Sequence, residues 1–174
     1  VTQVNTQVSV RYLRNGKHYR AISTAVLDTR RADFRLIHFS IQRDHLHFIV
    51  EADGSDPLAR GMRAVGIRIA RRLNRAAGRS GRVVADRYHI RTLTCPTAVR
   101  SGLHYVLANA RKHGPAQTER LGPRWVDPYS SAPHFDGWYT YINGDGKNGD
   151  PDGIFKIESG GVIHVLGKKF GYLG

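Results

Sequence analysis

Two β-rich runs, Phe34 to Ile41 and His45 to Glu51, stand only three residues apart, and that spacing constrains this chain more than any other feature. Gln42-Arg43-Asp44 is long enough for a hairpin turn and too short for a crossover, so the runs must pair antiparallel. Side-chain direction in a strand repeats every second residue, which puts His45 and His47, separated by Leu46, on one face.

Around this hairpin the apolar spacing sets the remaining elements. Val4, Val8 and Val10 among polar neighbours predict a strand over 4–13, and Tyr19, Ile22 and Val26 predict a helix over 17–30. A long helix follows, with Asp56 at its N-cap, Pro57 in its first turn and Leu58, Met62, Val65, Ile69, Leu73 and Ala76 along one stripe. Gly78 falls where a left-handed residue would end it. Residues 82–93 read as a fourth strand. Pro96 then opens a last helix with Val99, Leu103, Val106 and Ala110 as its buried stripe, ended by Gly114 and Pro115.

Strand, helix, strand, strand, helix, strand, helix is the order of the split βαβ, ferredoxin-like arrangement with one helix added at its C-terminal end. The expected class is α+β, an antiparallel sheet with helices on one face. Beyond Pro115, Gly, Pro and Asp rise and helical periodicity disappears. Residues 1–114 therefore read as the folded domain and 115–174 as a loop-rich extension, with a β-hairpin expected over 154–166 around Ser159-Gly160-Gly161. No internal repeat is visible.

At 174 residues and 40% hydrophobic composition the chain can bury a real core. Its 27 Lys and Arg against 14 Asp and Glu leave a formal charge of +13, which makes a polyanion, nucleic acid first, the expected partner. No apolar run approaches bilayer length and no signal-peptide pattern precedes the first strand, so a soluble protein without a membrane partner is expected. The chain opens at Val1, as expected if a start segment has been trimmed. A lone Cys95 excludes an internal disulfide and fits a reducing, cytoplasmic setting.

Two imidazoles with one amide or carboxylate oxygen leave coordination positions open on Mg²⁺, Mn²⁺ or a similar divalent ion. A two-histidine pattern is common, however, and by itself is more often explained by ordinary hydrogen bonds in a half-buried strand. Tyr105 and Asn109 change the weighing, because they lie one turn apart on the last helix and away from its apolar stripe. A phenol is a poor nucleophile until a metal, base or cationic field helps it, and a metal here would also polarise the phosphodiester it attacks. Ser101 and Gly102, one turn earlier, are small enough to leave room for a strand of DNA. Packing of Tyr105 at a helix–sheet boundary, with Asn109 facing water, is the competing account.

The long helix carries Arg60, Arg63, Arg68, Arg71, Arg72, Arg75 and Arg79, too many to be paired locally, since the nearest acid downstream is Asp86. Arg87, Tyr88 and Arg91 continue the positive charge and add an aromatic ring, a combination suited to neutralising phosphate and stacking bases. Tyr88 fits stacking and strand packing equally. His38, His89, His104 and His113 lack partners at informative spacing and read as structural, and the Asn-Gly-Asp turns over 143–153 lack the acids of a calcium loop.

With His45-Leu46-His47 in a strand and Tyr105-Val106-Leu107-Ala108-Asn109 on a later helix, the chain resembles the REP-associated tyrosine transposases and the wider single-tyrosine HUH transposases. Arg71-Arg72-Leu73-Asn74-Arg75, residues 81–89, 105–113 and 130–138 also look like pieces of that family, over about residues 32–138. The resemblance implies that Tyr105 attacks single-stranded DNA near a hairpin, forming a 5′-phosphotyrosine link and releasing a 3′-hydroxyl. It implies that His45, His47 and Asn109 ligate the divalent ion. It also implies a nucleoid-associated prokaryotic protein acting as monomer or homodimer. Residues 2–7 fit the family loosely, and the tail after Tyr139 matches nothing in it. A non-catalytic module that holds hairpin DNA or RNA on the same basic surface is the alternative.

Overall fold

The hairpin demanded by the spacing of the two β-rich runs forms, and the sheet grows from it. In a computed structural model, which describes residues 1–10, 12–84, 88–113, 125–135, 163–165 and 168–170, β1 is Thr2–Gln7, α1 Gly16–Leu27, β2 Phe34–Ile41 and β3 His45–Ala52. There follow α2 Ser55–Ala77, β4 His89–Thr92 and α3 Pro96–His113. The sheet order is β2-β3-β1-β4, with every neighbouring pair antiparallel. Since β1 and β2 both run against β3, they are parallel to each other and α1 bridges them, which makes the split βαβ unit. The fold is α+β, as the order of elements predicts.

Alternation along β3 divides the molecule. Leu46, Phe48 and Val50 face a core shared with Ile22, Ala25 and Val26 of α1 and Met62, Val65, Ile69 and Leu73 of α2. Ile49, on the opposite face, packs with Leu93 and with Val99, Leu103, Val106 and Leu107 of α3. The sheet therefore has helices on both faces, not on one. Periodicity identifies the buried stripe of α3 but cannot say which sheet face covers it. A bulge between Leu36 and His38 shifts the β2 register by one, which keeps Phe34 and Leu36 on the same face as Phe39 and Ile41.

Local chemistry sets the helix ends. Asn15 caps α1 by accepting from the Lys17 and His18 amides at 3.1 and 2.9 Å. That helix stops at Leu27, short of the expected 30, where Asp28 takes up the cap position. α2 begins one residue before Asp56, so Asp56 lies inside the first turn, where its charge suits the helix dipole. Gly78 closes α2 in the left-handed conformation, at φ 62°. Gly61 lets α2 approach the sheet, since a β-carbon there would meet Phe34 Cγ at 2.2 Å.

The first and fourth strands are shorter than their sequence suggests. Regular pairing of β1 ends at Gln7, and Val8 makes a single bridge to Val84. The chain then bends across the end of the sheet, with Val8 N donating to Asp44 O at 2.8 Å and Leu13 N to Arg43 O at 2.9 Å. Residues 85–87 lie outside the described set, and β4 begins at His89.

Past α3, residues 129–131 run along the outer edge of β2, with Ser131 N donating to Phe39 O at 2.9 Å. Arg14 grips Asp127 with two hydrogen bonds, of 3.0 and 2.7 Å. The expected boundary at 114/115, including Gly114 and Pro115, lies outside the described residues, as do the Ser159-Gly160-Gly161 turn and the loops of 143–153. Two short strands, β5 Ile163–Val165 and β6 Lys168–Phe170, pair antiparallel.

Candidate active site

His45 and His47 project from β3 on the face that α3 covers. Their rings meet edge-on, with centroids 4.7 Å apart. His47 is buried, at 2% exposure, whereas His45 is partly open to solvent. Each imidazole has an oxygen at Nδ1. Asp44 Oδ1 accepts from His45 at 2.7 Å, and Asn5 Oδ1 accepts from His47 across the β1–β3 pair. With the proton at Nδ1, Nε2 of each ring carries the lone pair a metal requires. The hydrogen bond from His45 holds the Asp44 carboxyl below the usual carboxylate range, against the smaller opposing effect of desolvation, and the Arg43 charge adds to the lowering.

Tyr105 reaches the same place from α3. Its ring stands edge-on to that of His47 with centroids 5.0 Å apart, and the residue is 36% exposed. Asn109 lies one turn further along the helix and is 2% exposed, with Oδ1 buried and no hydrogen-bond partner among the described residues. A buried amide oxygen without a partner is costly unless something outside the described chain satisfies it. Among the described residues no group of three His, Cys, Asp or Glu could hold a metal. His45, His47 and the Asn109 amide oxygen are donors of the kind that divalent ions accept.

The other expected residues are distributed differently. Arg60, Arg63, Arg68, Arg71, Arg72, Arg75 and Arg79 belong to α2 and the residues after it, on the far side of the sheet from Tyr105. Arg60 pairs with Asp33 at 3.0 Å and Arg72 pairs with Asp28, so acids engage two of the seven. Both acids precede the helix in sequence and are brought beside it by the α1–β2 connection. The two arginine hydrogen bonds at Asp33, from Arg31 and Arg60, hold its carboxyl low. Arg63, Arg68, Arg71, Arg75 and Arg79 are exposed and make no salt bridge among the described residues.

Arg91 is exposed on β4, opposite Gln3, and Arg87 lies outside the described residues. Tyr88 is half-buried and packs against the α1–α2 core. Gly102 does not open space for DNA: a β-carbon there would fall 2.8 Å from Leu93 Cδ1, so its smallness serves contact between α3 and the sheet. His38 is structural, buried beside Ser131 Oγ at 3.0 Å. Sequence spacing does not single out Asn5. Its relation to His47 depends on strand register, for which a single sequence carries no direct signal.

The fold and the site together define a class: a ferredoxin-like sheet carrying a histidine pair, with a tyrosine helix laid over it. No protein-family model matches the chain, and no curated protein matches it. Among solved structures it is similar to a REP-associated tyrosine transposase bound to a REP hairpin, with a TM-score of 0.56 and 18% identity, covering 75% of this chain and 74% of the other. The chain shares the fold of that transposase. No helix among the described residues is long and apolar enough to cross a membrane.

Proposed function

We propose that this protein cuts and rejoins single-stranded DNA beside hairpins, using Tyr105 as the nucleophile. The observation that carries the reading is the edge-on contact of the Tyr105 ring with His47, beside His45, with Tyr105 and His45 both reaching solvent. The shared fold with a transposase bound to a hairpin supports the same substrate class. So does the formal charge of +13.

In this reading the Tyr105 oxygen attacks a phosphodiester, the bond from phosphorus to the 3′-oxygen breaks, and a 5′-phosphotyrosine forms. The phenol loses its proton and the departing 3′-oxygen gains one. Rejoining is the reverse attack by a 3′-hydroxyl, with the energy of the broken bond kept in the phosphotyrosine. His45, His47 and Asn109 would hold a divalent ion, Mg²⁺ or Mn²⁺, which when bound polarises the phosphodiester and stabilises the phenolate. Asp44 and Asn5 orient the two imidazoles. The contact between Tyr105 and His47 lies within one chain, which supports a site complete in a single copy.

A labelled hairpin oligonucleotide with an unpaired extension, incubated with Mn²⁺ and run on a denaturing gel, tests the reading. The expected result is a protein-linked band that Tyr105→Phe abolishes while keeping hairpin binding. Cutting by Tyr105→Phe at the parent rate removes Tyr105 from the mechanism. Hairpin binding by the parent with no linked band under any divalent ion identifies a binding module instead.

A further inference from the structure

Tyr12 is the one described non-glycine residue with a left-handed backbone, at φ 58°. A bulky aromatic residue is disfavoured there, where glycine or asparagine is accommodated more readily. The conformation is held from both sides. Asn15 Nδ2 donates to the Tyr12 carbonyl at 2.7 Å, and the amide of Leu13 donates to Arg43 O at 2.9 Å. The ring receives no core packing in exchange, since Tyr12 is 63% exposed.

What the ring does touch is Arg43. The guanidinium carbon lies 4.9 Å from the ring centroid, and Nη2 donates to the phenol oxygen at 3.2 Å. A planar cation on an aromatic ring makes a flat, positively charged surface on which a nucleobase can stack while its phosphate is neutralised. The location is specific. Arg43 directly precedes Asp44, whose carboxylate holds His45, and the segment leading to Tyr12 is tied to the same turn by the Val8–Asp44 hydrogen bond. Backbone strain kept at an exposed side chain, beside catalytic machinery, is more readily explained by a ligand than by packing.

We propose that Tyr12 and Arg43 form a stacking site for one unpaired nucleobase of the strand that enters the histidine pair. The proposal rests on the DNA reading above and adds to it where the single strand is gripped. Three oligonucleotides test it: a blunt hairpin, the same hairpin with an unpaired extension, and the same extension made of abasic sites.

The parent should prefer the base-bearing extension over the abasic one, and Tyr12→Ala should lose roughly tenfold of that preference. Tyr12→Phe should keep it. Tyr12→Gly should lose it with a melting temperature no lower than the parent's, because glycine accepts the left-handed backbone and the loss then cannot come from misfolding. If the parent discriminates and Tyr12→Ala and Tyr12→Gly discriminate equally well, or if the parent binds hairpins without discriminating, the stacking site is wrong and the Tyr105 reading stands. If the parent binds none of the three, the DNA reading falls and the stacking site with it.

Discussion

Asn5 and His47 stand directly opposite each other on β1 and β3, and the Asn5 side-chain oxygen accepts the proton on His47 Nδ1. That contact fixes both the rotation of the imidazole and the nitrogen left to bind. If His47 holds the proposed ion, removing the contact should act on metal affinity before it acts on folding. Asn5→Leu should weaken Mn²⁺ binding, followed by electron paramagnetic resonance, by about 10- to 100-fold. Asn5→Asp should restore binding, since a carboxylate accepts the same proton. Undiminished affinity in Asn5→Leu would mean that the β1–β3 contact does not position His47.

Gly61 and Phe34 are packed so closely that an added methyl group has nowhere to go. The β-carbon of an alanine at 61 would lie 2.2, 2.3 and 2.6 Å from three atoms of a ring that is itself 1% exposed. Gly61→Ala should therefore cost about 3 kcal/mol, against the usual helix gain on replacing glycine by alanine. In thermal unfolding that is a fall of roughly 6 °C or more. Phe34→Leu opens space, so the double variant should be destabilised by less than the sum of the single ones. Strict additivity would show that the two residues do not compete for the same volume.

Elements set by local period were legible in the sequence. The hairpin of β2 and β3, the stripe of α2 from Met62 to Leu73 and the Gly78 stop each depend on residues within a few positions of one another. The shared face of His45 and His47 was legible for the same reason. What depends on tertiary arrangement was not. Leu103 and Val106 announce a buried helix face without saying that it covers the sheet opposite α1 and α2. Asp28 and Asp33 precede the arginine helix, and only the path of the α1–β2 connection brings them to Arg72 and Arg60. Gly102 reads as open space until Leu93 is placed beneath it. Tyr12 looks like an ordinary loop residue until its backbone angle is known.

Arg14 and Asp127 tie the segment after α3 to the start of α1. Asp127 is 1% exposed, while the Arg14 side chain keeps 27% of its surface open. Removing one partner leaves the other charge poorly solvated, so Asp127→Ala should cost roughly 2 kcal/mol, below the usual range for a fully buried pair because Arg14 still reaches water. The loss should be local. Hydrogen exchange should accelerate at the amides of Ser131 and Ile41, which donate to Phe39 O and Tyr129 O, before it changes at β3. Unchanged exchange at both amides would show that the segment is held without the ion pair.

The outward arginines of α2 and the tyrosine site lie on opposite faces of the sheet, and this separates their expected roles. If the helix grips the hairpin duplex while the other face handles the single strand, replacing Arg63, Arg71 and Arg75 by Gln should weaken hairpin binding. It should also flatten the dependence of log affinity on log salt by about 0.9 for each phosphate that is no longer neutralised. Arg60→Gln should do less, since Arg60 is already engaged by Asp33. With hairpin DNA at saturating concentration, the triple variant should form the Tyr105 adduct at the parent rate, because none of the three side chains lies on the tyrosine face. An unchanged salt slope would remove α2 from the DNA interface. A slower adduct at saturation would show that the two faces are coupled and that the arginines do more than hold the substrate.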